Sequence, residues 1–221
     1  KASRMQGDLG WYHIMPQLPD TLVERCAQLI TVCVDAGHSP NYALVYPEIW
    51  DLILHPVISE LTKRVIGPDA ILRSNPVVHF VDGNTKAGWP PHADGLGEYY
   101  RDPANLNLQA VWISLSEATL DNGCMHVLSK GSSEAFWELL ETDQKPSFNA
   151  LQRCMHGTRA VPCGPGHILG WHGGTVHFGG EFRTGRPRSA ACRRVPGWRD
   201  HHEQFVPWLH RAAKDSEVAS V

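Results

Sequence analysis

At 221 residues the chain can bury the core of one domain without staples, and a net charge of −3 from 20 basic and 23 acidic residues gives no electrostatic case for a nucleic-acid or anionic-membrane partner. No apolar run approaches the length that spans a bilayer. Six cysteines (Cys26, Cys33, Cys124, Cys154, Cys163, Cys192) include no Cys-x-x-Cys pair, which argues against a structural zinc site or a secreted disulfide framework and fits reduced thiols in a cytoplasmic protein.

Residues 1 to 18, with Trp11, Tyr12 and His13 just ahead of Pro16, read as an irregular arm laid across the core. Pro19-Asp20-Thr21 then opens a helix in which Leu22, Val23, Cys26, Leu29, Ile30 and Cys33 recur at three and four, with Gly37 as its stop. A second helical stripe runs from Pro47 to Val65 through Ile49, Trp50, Ile53, Leu54, Val57, Ile58 and Leu61, and Gly67-Pro68 ends it. Pro56 falls inside that stripe and has no N–H to donate, so the spacing predicts a kink or a split there.

From Ile71 the period becomes that of strands, over Val77 to Val81, Leu106 to Leu115, Cys124 to Leu128, Thr158 to Val161, His167 to Trp171, Thr175 to Phe178 and Arg188 to Val195. Gly83-Asn84, Asn122-Gly123 and Gly164-Pro165-Gly166 mark turns between them, and Gly173-Gly174 marks a reversal. A short helical pattern from Ser132 to about Glu141 and a loop over 142 to 157 interrupt the run. A tail from Gly197 carries Trp198, Phe205, Val206, Trp208 and Leu209 as docking side chains ahead of a polar end. Consecutive strands with few helices between them argue an antiparallel barrel or sandwich.

Chemistry concentrates in two places. In Pro91-His92-Ala93-Asp94, one residue separates an imidazole from a carboxylate, so both point to one face of an extended backbone. Two histidines and one carboxylate on one face hold a ferrous ion with open positions left over, so one histidine is still to be found. The pattern alone is cheap, since His201-His202-Glu203 matches it too. Downstream, His172 and His177 lie five apart, on opposite faces of a continuous strand unless Gly173-Gly174 resets the parity. Arg188 follows His177 by eleven residues and alternates with Ala190 and Cys192, so an inward Arg188 is costly unless a carboxylate meets it. Arg183 and Arg186 are its rivals, with surface solvation the plain role for all three. Trp112 sits in an apolar strand where core packing is the ordinary fate, and His79 and Lys86 flank the first motif. Glu98-Tyr99-Tyr100-Arg101 is placed to form part of a lid at a barrel mouth.

Taken as a set, the order His92-x-Asp94, then Trp112-Ile113-Ser114-Leu115, then the segment from Asp121 to Ser132, then His177 and Arg188 resembles the phytanoyl-CoA dioxygenase (PhyH-like) superfamily of iron(II)/2-oxoglutarate oxygenases. The resemblance spans about residues 76 to 195. It implies a mainly β fold with flanking helices, a double-stranded β-helix (jelly-roll, cupin-like) barrel. One oxygenase domain would then fill 1–221, with arm and helices over 1–70, barrel over 71–195 and tail over 196–221.

It further implies His92, Asp94 and His177 as ligands of Fe(II), with 2-oxoglutarate and O2 as cosubstrates. Arg188 would bind the far carboxylate of 2-oxoglutarate, and Trp112 would lie on a strand that lines the cosubstrate pocket. Related halogenases have a small residue where Asp94 stands, so the carboxylate favours hydroxylation, desaturation or ring formation on a small-molecule substrate. Two positions depart from the family pattern. Gly179 stands where many members have a cosubstrate-binding serine, and Ser133 replaces a frequent histidine. Two other readings use the same residues: a cupin-like metalloenzyme in which Arg188 binds substrate directly, and a non-catalytic binding protein on the same fold.

Overall fold

A computed structural model of the chain describes residues 10–15, 18–68, 76–84, 88–94, 108–143, 147–185 and 187–196. The predicted lid at 98–101, Lys86, Arg186, the start of the second predicted strand at 106–107 and the tail from Gly197 lie outside these residues.

Helix α1 (Asp20–Asp35) buries Val23, Cys26, Ile30 and Cys33, the stripe expected from their spacing. A 3-10 turn (Pro40–Val45) leads into α2 (Pro47–Ile53) and α3 (Pro56–Val65). The predicted second helix is thus split at Pro56. That residue takes the first position of α3, where a missing N–H costs nothing, while His55 Nδ1 accepts a hydrogen bond from Val57 N at 3.3 Å.

Among the described residues, eight strands follow the pattern of the sequence with one addition: β1 (Trp11–Ile14), β2 (Val77–Val81), β3 (Leu108–Ser114), β4 (Met125–Val127), β5 (Arg159–Val161), β6 (Ile168–His172), β7 (His177–Gly179) and β8 (Arg188–Pro196). They form an antiparallel sheet in the order β1-β6-β3-β8-β2 and a smaller one in the order β5-β4-β7. The His92 segment joins the smaller sheet through a reciprocal bridge to His177, with His92 N to His177 O at 3.0 Å and His177 N to His92 O at 2.9 Å. The described residues do not close the two sheets into a barrel.

The addition is β1. The arm that reads as irregular in sequence pairs its residues 11–14 with β6, placing Tyr12 opposite Gly170. The Tyr12 ring occupies the space a Cβ on Gly170 would need, and its hydroxyl accepts a hydrogen bond from Gln109 Nε2. Four residues are too few for a period-2 signal to show, and the partner that makes them a strand is more than 150 positions away.

Every residue of β3 is buried, because the larger sheet is covered on both faces. Val111 and Ile113 pack with Ile168, Ala191 and Val78 against α1, α2 and α3. Ala110 and Trp112 face the other way, towards Leu169, Trp171, Ala190 and the smaller sheet's Met125, Val127 and Val161. Each such aliphatic side chain contributes about 1.5–3 kcal/mol on burial, so the helical layer fixes the larger sheet and leaves its inner face to carry the site.

A third cluster, Leu128, Phe136, Trp137 and Val176, lies under α4 (Lys130–Thr142), which Ser129 caps. The predicted loop over 142–157 instead holds α5 (Phe148–Met155). Ser147 caps it by accepting from Ala150 N at 3.3 Å, and Leu151, Cys154 and Met155 lean on the third cluster. The Gly173-Gly174 reversal does not make a hairpin within one sheet. It carries the chain from β6 in the larger sheet to β7 in the smaller one.

Candidate metal and cosubstrate site

His92 and Asp94 leave the segment beside β7, and His177 opens β7 itself, so the sheet that pairs their backbones also brings the side chains together. Asp94 Oδ1 lies 4.0 Å from His92 Nε2, and Asp94 Oδ2 lies 3.7 Å from His177 Nε2. The three donor atoms all fall within 4.8 Å of one another. The His177 and Asp94 side chains are each 3% exposed and His92 is 31% exposed, so the open side of the cluster is the His92 side.

Both rings are held by the nitrogen that faces away from the cluster. His92 Nδ1 is 2.8 Å from the Pro90 carbonyl and His177 Nδ1 is 3.0 Å from the Thr175 carbonyl. A carbonyl can only accept, so Nδ1 carries the hydrogen in each ring and Nε2 presents its lone pair to the carboxylate side, the tautomer a metal ion needs. The Trp171 indole N–H donates to Asp94 Oδ2 at 3.0 Å and fixes the carboxylate plane. Its ring also lies against His177, with centroids 4.3 Å apart.

The turn before β7 is anchored in turn. Ser133 Oγ accepts from Val176 N at 3.0 Å, the Trp137 indole N–H donates to the Gly174 carbonyl at 2.9 Å, and Thr175 Oγ1 donates to the Gly10 carbonyl at 3.1 Å. Ser133, a departure from the family pattern, therefore holds the residue next to His177. His172 belongs to this turn: its Nδ1 accepts from Gly174 N at 3.2 Å, and it stands outside the His92, Asp94 and His177 cluster.

Arg188 opens β8, is 4% exposed, and keeps Nε and Nη1 buried with no hydrogen-bond partner among the described residues. Its guanidinium carbon lies 5.6 Å from the Trp112 ring centroid, a cation–π contact that supports the charge without satisfying its donors. Burial pushes the guanidinium down to about 10, against a smaller opposing pull from Cys124 and Cys163. A Cβ on Gly179 would lie 3.6 Å from Arg188 Nη2. Gly179 is two residues on from His177 along β7 and on the same face, so the buried cation faces the strand one pleat repeat, about 7 Å, from the distal histidine. Arg183, the rival in sequence, places its backbone in the turn at Asp121.

Residues 27–190 match the family profile described as phytanoyl-CoA dioxygenase (PhyH). The chain belongs to that family. With it the chain falls among the iron(II)/2-oxoglutarate-dependent enzymes, as the resemblance implies. No curated protein matches the sequence.

Several solved structures share the PhyH chain's fold. The non-heme alpha ketoglutarate dependent carbocyclase SnoK from nogalamycin biosynthesis is 18% identical over 91% of this chain and 88% of its own, with a TM-score of 0.69. The epimerase SnoN, in complex with Fe3+, alpha ketoglutarate and nogalamycin RO, is 16% identical over 89% of this chain and 82% of its own, at 0.67. EctD from S. alaskensis, with 2-oxoglutarate and 5-hydroxyectoine, is 14% identical over 88% of this chain and 74% of its own, at 0.68.

Sequence reasoning misses three contributors to this PhyH site: Trp171, Ser133 and the carbonyl of Thr175. Trp171 has a legible signal, since it is an indole two residues ahead of Gly173-Gly174 and shares the parity of Leu169 on β6. The other two act through one hydroxyl and one backbone oxygen, which no residue pattern advertises.

Proposed function

We propose that His92, Asp94 and His177 hold iron(II) and that Arg188 binds the far carboxylate of 2-oxoglutarate, in an oxygenase that hydroxylates an unactivated C–H bond of a small molecule. The donor set of two imidazoles and one carboxylate within 4.8 Å suits a ferrous ion better than a zinc or calcium site, because among the described residues it caps one face only. Iron(II) with 2-oxoglutarate and O2 supplies, when bound, an oxidant for C–H bonds, with succinate and carbon dioxide as co-products.

The observation that carries the reading is the pair of buried nitrogens on Arg188 that have no partner among the described residues. A buried guanidinium left unpaired costs several kcal/mol, and a dicarboxylate reaching along β7 from the triad offsets that cost with a charge-assisted fork. Trp112 under the guanidinium keeps it from turning away. Trp171, Pro90 and Thr175 keep the three ligand atoms aimed at one point, so little reorganisation is needed on binding. On the open side, Trp89 is 57% exposed and sits edge-on to His92, with centroids 6.1 Å apart, offering an apolar face for substrate.

The strand order supports the finer fold reading too. The order β2-β8-β3-β6 opposed by the His92 segment, β7, β4 and β5 is the order expected if the fold is a double-stranded β-helix with β1 added at one edge. We extend this to one oxygenase domain across 1–221.

The test is succinate formation from 2-oxoglutarate by iron(II)-loaded protein. Uncoupled turnover in the absence of substrate is expected to be slow but dependent on both iron and Arg188. Oxidation of a soaked small molecule without 2-oxoglutarate consumption would instead favour the cupin-like reading, and product mass separates hydroxylation from ring closure or epimerisation.

A further inference from the structure

A second cluster of donors lies where β1 meets the turn ahead of β6, apart from the triad. His13 Nε2 is 2.7 Å from His167 Nδ1, and Cys163 Sγ is 3.7 Å from the same His13 nitrogen. These three donor atoms also fall within 4.8 Å of one another. Cys163 is buried, while both histidines are half-buried and leave a path from solvent.

Each donor is fixed by its own stretch of backbone. Cys163 exchanges two hydrogen bonds with Ala118, at 2.7 and 2.9 Å, and His13 is paired in register with Leu169. His167 is set by the Gly164-Pro165-Gly166 turn, where Gly166 takes φ of +76°, Gly166 N donates to the Ser114 carbonyl at 2.7 Å and the His167 carbonyl accepts from Ser114 N at 2.9 Å. Gly164 leaves the imidazole room, since a Cβ there would stand 3.2 Å from His167 Nε2.

We infer that His13, Cys163 and His167 form a second metal site, for a zinc-class ion, that fastens β1 to the turn between β5 and β6. Two imidazoles and a thiolate are the donors a borderline-soft divalent ion selects over iron(II) or magnesium. Tetrahedral ligation at about 2.1 Å to nitrogen and about 2.3 Å to sulfur sets N···S near about 3.6 Å and N···N near about 3.4 Å. The Cys163–His13 spacing is therefore in place, the Cys163 and His167 donor atoms lie within 4.8 Å of each other, and the two rings need only part by a fraction of an ångström.

A plain imidazole–imidazole hydrogen bond explains the 2.7 Å contact, and the Cys163 thiol also reaches the Val161 carbonyl at 3.4 Å; a shared ion accounts for the thiol and both ring nitrogens converging on one point. Burial lowers both histidines, with His167 adding to the effect on His13, so the rings stay neutral near neutral pH, the form that ligates. Burial also pushes the Cys163 thiol up to about 12, so metal uptake must release its proton. The scattered cysteines that argue against a structural zinc site in the sequence do not exclude this mixed site, because only the β1–β6 pairing brings His13 to Cys163 and His167.

Cobalt(II) titration of the chelator-treated full chain tests this, because thiolate ligation adds a sulfur-to-cobalt charge-transfer band in the near ultraviolet that a His/Asp/His site cannot give. The wild type is expected to take up a second equivalent with that band. Cys163→Ser should lose the band and that equivalent, and His177→Ala should lose the other equivalent and keep the band. Should Cys163→Ser fail to fold, His13→Gln at a half-buried position is expected to weaken the band-bearing equivalent at least tenfold. A wild type without the band, a band that persists in Cys163→Ser, or one that disappears in His177→Ala overturns the assignment.

Discussion

The two ends of the proposed cosubstrate cleft are finished to different degrees. At the triad end, both imidazoles and the carboxylate are already held by Pro90, Thr175 and Trp171. At the Arg188 end, a buried cation has two nitrogens with no partner among the described residues. In this reading the fold uses its own residues to orient the proposed metal ligands and leaves the charge at the far end for the proposed cosubstrate to complete. This contrast between a satisfied and an unsatisfied end predicts that mutations there separate stability from function in different ways.

The largest effect is expected at the satisfied end. Asp94→Ala removes the carboxylate of the proposed triad, leaves the Trp171 N–H without its acceptor, and should abolish iron(II) binding and succinate formation together. Equilibrium dialysis with iron(II) checks the first loss. Retained stoichiometric binding would break the contrast.

Next comes Arg188→Met. Replacing the buried cation with an apolar side chain of similar length should weaken 2-oxoglutarate binding by about a hundredfold or more, as expected for one partner of a buried charge pair. The same change should leave thermal stability equal or higher, because a buried charge with no partner among the described residues is a cost to the ligand-free fold. The sign follows from linkage. Burial lowers the folded-state value to about 10, well below the guanidinium's ordinary value, so between the two the unfolded chain binds more protons, and this group makes stability rise as pH climbs through that window. Below it the penalty is fully present, and Arg188→Met should erase it. Calorimetry with and without 2-oxoglutarate reads both halves: the wild type should gain stability from the ligand, and the variant should gain almost none.

A smaller effect belongs to Trp171→Phe, which keeps the ring against His177 but removes the donor to Asp94. Iron(II) affinity should fall by about tenfold, the lower end for loss of a partner behind the ligands, with little change in 2-oxoglutarate affinity at saturating metal. The smallest sharpens the other end. Gly179→Ser adds a hydroxyl near Arg188 Nη2 at ordinary contact distance, and should tighten 2-oxoglutarate about threefold to tenfold, as one added hydrogen bond permits.

Much of this was legible from residue order, and the reasons differ by element. The stripes of α1 and the strands from Val77 onward are set by burial periodicity, which local sequence records. Pro56 announced the split between α2 and α3 because its chemistry is local. The His92-x-Asp94 spacing, with His177 and Arg188 chosen by family resemblance, named four residues that the fold places as a donor cluster and a buried cation facing the same strand. What stayed hidden depends on distant partners. β1 is a strand only because β6 offers an edge, α5 forms where Ser147 caps it and α4 covers it, and Ser133 serves the site through one hydrogen bond to Val176. The Gly173-Gly174 reversal shows the same limit, since sequence fixes a change of direction but not which sheet receives it.

The most direct test of the claim that the triad and Arg188 serve one ligand is an anaerobic titration of the iron(II)-loaded protein with 2-oxoglutarate, followed by the visible charge-transfer absorption of a chelated 2-oxo acid. The band should grow saturably in the wild type, require iron(II), and demand about a hundredfold more 2-oxoglutarate in Arg188→Met. A wild type that gives no band, or an Arg188→Met titration that overlays the wild-type curve, would contradict it.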